Sequence, residues 1–159
     1  MKTKSIITWI VVIVVIIGIY YVISKTPNTS CATAAAKDIS VGGDQNVIYH
    51  IHPTLKIKIN NAEVVIPNRV GFDGAIMRPL HTHDSSGIIH VESPCARDFT
   101  LGDFFDVWGK QFNSTCILES CADATHSFNM YVNGVKNTEF RDHIFIDNEL
   151  IELKYEEIK

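Results

Sequence analysis

The chain has 159 residues, 14 of them Lys or Arg and 18 Asp or Glu, and a formal net charge of −4. Every acidic residue lies at or after Asp38, so the C-terminal part carries a clear excess of negative charge. Proteins that bind nucleic acid need a basic face, and we therefore predict no nucleic-acid partner. About 120 residues follow that point, enough for one domain with its own core.

The N-terminal stretch 6–23 is uncharged and almost wholly apolar. As a helix it would be about 27 Å long, enough to span a bilayer core. Lys2 and Lys4 precede it, which predicts a cytoplasmic N terminus and an exported C-terminal part. A cleavable signal peptide is the alternative, but its apolar core is normally about 7–15 residues long. We therefore predict a single-pass anchor in the cytoplasmic membrane over 1–24, a polar tether over 25–37 and an extracytoplasmic domain over 38–159.

Four cysteines follow the apolar stretch: Cys31, Cys95, Cys116 and Cys121. An even number of cysteines in an exported domain indicates disulfides. Cys116 and Cys121 are close enough in sequence to close a small loop. Cys31 and Cys95 would complete the set, although a cysteine in the tether is equally compatible with a free thiol or a link between two chains.

Residues 46–66 predict two or three antiparallel strands. In the first of them, His50 and His52 lie two residues apart and therefore share one face. The stretch 55–60 alternates between aliphatic and lysine side chains, which is typical of a half-buried strand. Asn60-Asn61 then predicts a tight turn into the next strand.

Residues 79–94 predict a β-hairpin that carries three histidines. Its turn is Asp-Ser-Ser-Gly at 84–87, with aspartate at the first position and glycine at the fourth. This turn pairs His81 with His90, whose Cβ atoms would lie about 5 Å apart, and also pairs residue 82 with 89 and 83 with 88. His83 shares the face of His81 because side chains alternate along a strand. Three imidazole rings therefore converge on one face of the hairpin.

Three converging imidazoles are typical of a zinc or copper site. Glu92 lies on the same face and is predicted as a fourth ligand or as an acceptor that orients a histidine, and Asp84 is predicted to orient the ligands. If the strand at 46–52 lies beside the hairpin, His50 and His52 join the cluster. The alternative is a structural hydrogen-bond network of histidines and carboxylates.

The C-terminal half predicts one helix and a closing set of strands. Thr100 and Asp103 are typical of a capping box, and Gly109 is typical of the residue that ends a helix. Residues 126–140 predict a hairpin around Asn-Gly, and 146–155 predicts a last strand. The helix presents an apolar face and is predicted to cover one side of the sheet.

These elements predict an α+β domain after the transmembrane helix, with all strands in one mainly antiparallel sheet and one packed helix. A β-grasp-like arrangement is the first prediction, and a cupredoxin-like β-sandwich is the second. Cys121, His126 and Met130 have the spacing of the copper loop of cupredoxins. Cys116 is a near partner for Cys121, however, and a sulfur in a disulfide is not a thiolate ligand.

Several runs of the sequence together resemble a family of membrane-anchored, extracytoplasmic proteins of bacteria and archaea whose activity is not established. The most specific run is PLHTHDSSGIIHVESP, and the others include HIHPTLKIKIN, IPNRVGFDG, FTLGDFFDVWG and CILESC. The resemblance covers about residues 48–155. It implies that Cys116 and Cys121 are paired. It also implies motif positions at His50, His52, His81, His83, Asp84, His90 and Glu92.

The leading functional hypothesis is a membrane-tethered extracytoplasmic protein that binds zinc or copper through this histidine cluster. The first alternative is an accessory subunit that docks on a membrane complex and uses its histidines structurally. The second is a metal-dependent hydrolase or hydratase, because an open position on a three-histidine zinc ion activates water.

Overall fold

The computed structural model describes Trp9 and residues 12–20, 29–42 and 47–158. Residues 12–20 are helical (α1) and exposed. Within the described residues, no helix is both long and apolar enough to cross a bilayer. Much of the predicted anchor over 1–24 lies outside the described residues, and the anchor stays a prediction.

The described part of the chain then contains two further α-helices, two short 3-10 turns and twelve strands. The helices are α2 (Thr29–Thr33) and α3 (Leu101–Trp108), and the 3-10 turns are Ala36–Asp38 and Phe140–Asp142. The strands are β1 (Tyr49–Ile51), β2 (Thr54–Ile59), β3 (Ala62–Val64), β4 (Phe72–Asp73), β5 (Ile76–Met77), β6 (Leu80–His81), β7 (His90–Ser93), β8 (Cys116–Ile117), β9 (Ser120–Cys121), β10 (His126–Val132), β11 (Val135–Asn137) and β12 (Leu150–Glu157).

The largest sheet has five strands in the order β11-β10-β12-β2-β3. β12 runs parallel to β2, and the other neighbours are antiparallel. Ile57 on β2 is fully buried, as the alternation of that strand predicted, and Leu153 on β12 is fully buried too. Phe104 and Phe105 of α3 are fully buried and belong to the same hydrophobic core. The predicted α+β class with mainly antiparallel strands is confirmed.

Local signals form as predicted at the ends of the elements. The Thr100 hydroxyl accepts a hydrogen bond from the amide of Asp103, and the Asp103 carboxylate accepts one from the amide of Thr100. Gly109 ends the helix with a φ of 68°, in the left-handed region that glycine tolerates. Asn60 and Asn61 take φ values of 50° and 65° in the turn between β2 and β3.

The prediction of a single sheet is wrong, because the histidine hairpin belongs to a separate three-stranded sheet in the order β1-β7-β6. The ladder between the two arms ends at His81 and His90, and Ile88 pairs with Thr54 instead. The amide of Thr82 donates to the Val70 carbonyl, and the amide of Ile89 donates to the Pro53 carbonyl. Buried backbone groups need partners, and here segments from other parts of the chain supply them. The predicted pairs 82–89 and 83–88 are therefore wrong.

Both possible disulfides are present, Cys31–Cys95 and Cys116–Cys121. The first joins α2 to the segment after β7, so part of the predicted tether is fixed to the domain. Ala36, which follows α2, is also buried. Disulfides are typical of oxidising compartments, in agreement with an extracytoplasmic location.

Candidate metal centre

The three-stranded sheet and the residues that directly follow β1 and β6 bring five histidines and one glutamate together. His81 on β6 lies directly opposite His90 on β7, as predicted. His50 on β1 lies opposite Glu92, two residues further along β7. Because side chains alternate, His90 and Glu92 share a face, and both partners join them there. His52 follows β1 immediately, and its ring centroid lies 4.6 Å from that of His90.

Four of these residues form what we call the His/Glu group: His81, His83, His90 and Glu92. One potential ligand atom from each lies within 4.8 Å of the others. The Nε2 atoms of His81 and His83 are 3.2 Å apart. Two nitrogen ligands of a tetrahedral zinc ion would be about 3.3 Å apart, given zinc–nitrogen bonds of about 2.05 Å. The spacing of this pair therefore matches the separation that one bound ion requires.

The Glu92 carboxylate lies at the centre of the cluster. Its Oε1 atom is 3.6 Å from Nδ1 of His90 and 4.0 Å from Nε2 of His81. The same oxygen is 3.1 Å from Nε2 of His50, which orients it. Glu92 is 8% exposed, and a buried carboxylate favours a nearby cation.

His81 is held in the form that a metal ligand needs. Its ring is completely buried, and its Nδ1 atom donates a hydrogen bond to the Arg78 carbonyl at 3.0 Å. That bond fixes the proton on Nδ1 and leaves the lone pair of Nε2 directed at His83 and Glu92. Burial lowers the pKa of His81 to about 4, although the bond to Arg78 opposes this change. His81 is therefore neutral at physiological pH.

His90 is partly buried and has an unpartnered nitrogen. Its Nδ1 atom is buried and makes no hydrogen bond, which is uncommon for a buried polar atom. Burial lowers the pKa of His90, and the neighbouring His83 and His52 lower it further. A neutral imidazole with a free ring nitrogen at this position fits a metal ligand.

A second set, which we call the all-histidine group, consists of His50, His52 and His90. Their potential ligand atoms also lie within 4.8 Å of one another. His50 is exposed, and the other two are half-buried. The two groups share His90. The sequence predicted this cluster of five histidines only on the condition that the first strand lies beside the hairpin, and the structure meets that condition.

Sequence reasoning missed three features that support the site. The Arg78 carbonyl holds His81, as described above. The Phe72 ring packs against His81 and His83, with centroid distances of 5.3 and 5.8 Å. Gly71 has a φ of 78°, and a Cβ atom there would overlap the Leu80 carbonyl oxygen. A glycine in a loop is a weak signal, and no pattern in the sequence indicated that it would lie against a histidine.

Asp84 lies at the rim of the site. Its carboxylate accepts a hydrogen bond from the Ser86 amide at 2.8 Å, which shapes the turn after His83. The Ser86 side chain lowers the pKa of Asp84 most, and the bond from the Ser86 amide lowers it further. Its predicted role in orienting the ligands stays a prediction.

The cupredoxin-like loop does not form a copper site. Cys121 is paired with Cys116, and Met130 is fully buried in the core. His126 instead stacks on Tyr155, with ring centroids 5.0 Å apart. It is remote in sequence from the cluster and provides a control position.

No family model, curated protein or solved structure matches this chain. Imidazole nitrogens and a carboxylate oxygen are common metal ligands, and the described residues could hold a metal ion.

Proposed function

We propose that this protein is a membrane-tethered, extracytoplasmic binding protein for zinc or copper. The His/Glu group supplies the ligands. The observation that carries the proposal is the convergence of three imidazole nitrogens and one carboxylate oxygen, with the tautomer of His81 fixed by a backbone carbonyl. A structural network would leave little reason for a buried nitrogen of His90 without a partner.

The ligand chemistry supports a divalent metal ion that is neither very hard nor very soft. All four cysteines are in disulfides, so thiolates, which favour Cu⁺, do not contribute. Magnesium and calcium prefer oxygen ligands, whereas this group has three nitrogens and one oxygen. Zn²⁺ and Cu²⁺ both accept that set.

The number of ligands favours binding over catalysis. Catalytic zinc sites keep three protein ligands and an open position for water. If Glu92 binds together with all three histidines, a tetrahedral ion has no open position. We therefore rank a binding protein above the hydrolase or hydratase.

We also infer a β-grasp-like fold rather than a cupredoxin-like sandwich. A hairpin (β2, β3) precedes helix α3 and a second hairpin (β10, β11), and β12 returns between the two hairpins, parallel to β2. The central pair of parallel strands in the five-stranded sheet, with α3 between the two hairpins in the chain, favours this fold over a cupredoxin-like sandwich.

The test uses the full chain, extracted in mild detergent and purified without a histidine tag. We expect one equivalent of zinc or copper by elemental analysis and by titration. The variant with His81→Ala, His83→Ala and His90→Ala should lose stoichiometric binding, whereas His126→Ala should keep it. Wild-type protein without stoichiometric metal, or a triple variant that titrates like the wild type, would refute the proposal. A partner protein that co-purifies equally with the triple variant would favour the accessory-subunit alternative.

A further inference from the structure

The all-histidine group and the His/Glu group lie side by side and differ in access to solvent. The His/Glu group contains two buried residues, His81 and Glu92, and one exposed residue, His83. The all-histidine group contains no buried residue, and His50 in it is exposed. Each group thus offers solution one exposed histidine, but only the all-histidine group can hold an ion without reaching buried ligands.

His90 belongs to both groups and cannot serve two ions at once in its neutral form. A neutral imidazole carries one N–H and one lone pair, so it binds one ion at a time. The His90 centroid lies 4.4 Å from that of His83 and 4.6 Å from that of His52. The two groups are therefore two adjacent positions that compete for the same ligand.

Glu92 also connects the two positions. Its Oε1 atom lies 3.1 Å from Nε2 of His50 and 3.6 Å from Nδ1 of His90. An ion that moves from one group to the other thus stays close to a negative charge. The amide of His52 donates to the Asp147 carboxylate at 2.9 Å, which fixes the end of the strand that carries the exposed ligands.

We propose that the all-histidine group is the entry position for the ion bound by the His/Glu group. The ion first binds His50 and His52, then exchanges these ligands for His81 and His83 while His90 and Glu92 remain near it. Stepwise exchange replaces one ligand at a time and avoids a bare ion. This inference rests on the proposed function of the His/Glu group.

His52 is the residue to change, because its ring contacts His50 and His90, whereas His50 also orients Glu92. Binding of Co²⁺ to the full chain in detergent is followed by stopped-flow absorbance, and release is followed by transfer to a chelator. In His52→Ala we expect both rate constants to fall by about tenfold, with Kd within about threefold of wild type. An entry position speeds binding and release equally. His52→Gln should behave in the same way, and His126→Ala should leave both rates unchanged.

Three results would overturn the entry position while the proposed function stands. They are unchanged rates in His52→Ala, a weaker Kd that comes from faster release, and saturation of the wild type at two ions per chain. The second result would make His52 a ligand of the final site, and the third would make the groups independent sites. A wild type that binds no Co²⁺, Zn²⁺ or Cu²⁺ would instead remove the proposed function itself.

Discussion

His143 offers a sharp test of how buried charge stabilises this fold, away from the metal ligands. Its side chain is 5% exposed, and both ring nitrogens face carboxylates. Nδ1 donates to Glu139 at 2.9 Å, and Nε2 donates to Glu149 at 3.0 Å. Burial alone would lower the pKa of His143, but the hydrogen bonds that its ring donates to Glu149 and Glu139 outweigh it, so the pKa is raised. The two carboxylates therefore favour the imidazolium form of His143.

His143→Ala leaves Glu149 without its cation. The Glu149 side chain is 2% exposed, so water does not replace the lost partner. Removal of one partner from a buried ion pair costs about 3–5 kcal/mol, and we expect that loss in the free energy of unfolding. The control is Asp106→Ala, which removes a surface pair with Arg141 whose side chains are 51% and 38% exposed. That change should cost less than about 1 kcal/mol.

The assay is urea unfolding of the full chain in detergent, at several pH values. A raised pKa means that the stabilisation is fully present below the unfolded-state pKa of about 6.5 and is lost as pH rises through the folded-state pKa. The difference between wild type and His143→Ala should therefore shrink as pH is raised above neutrality. The double variant with Glu149→Gln should be less destabilised than the sum of the single changes. A loss below about 1 kcal/mol at pH 6, or a difference that does not shrink, would refute the reasoning.

Three further predictions concern the metal site and the structure around it. Gly71→Ala should lower stability and weaken metal binding, because the added Cβ atom would crowd His81. The control is Gly74→Ala, whose Cβ atom would have no neighbour within 4 Å and which should cost only about 1 kcal/mol of backbone strain. Three histidines with ordinary pKa values would lose about 10⁴-fold in zinc affinity from pH 7 to pH 5, because protons compete for all three. His81 has a pKa of about 4 and binds almost no proton between pH 7 and pH 5, so we expect a far smaller fall. A full 10⁴-fold fall in a titration series would contradict this. Replacement of Cys31 and Cys95 by alanine should lower the free energy of unfolding by about 4 kcal/mol, because that disulfide closes a loop with a separation of 64 residues. Replacement of Cys116 and Cys121, which are separated by 5 residues, should lower it by only about 2 kcal/mol. Equal losses in the two variants would show that loop length does not govern the effect.

The sequence alone determined the local structure around the site. The turn at 84–87 and the alternation predicted that His81 pairs with His90 and that His83 lies close to both, and these predictions are confirmed although the pairs nearer the turn do not form. The capping residues of α3 and the turn at Asn60-Asn61 could also be predicted from the sequence, because each depends on the backbone preferences of a few adjacent residues.

Tertiary structure alone decided the rest of the site. The alternation of apolar and polar side chains indicates which face of a strand is buried. It does not indicate which strand lies beside it, because the backbone hydrogen bonds between any two strands are alike. The pairing of β1 with β7 brought His50 next to Glu92, and it also separated the hairpin from the main sheet. The burial of His81 and its bond to the Arg78 carbonyl likewise depend on packing between segments that no local pattern encodes.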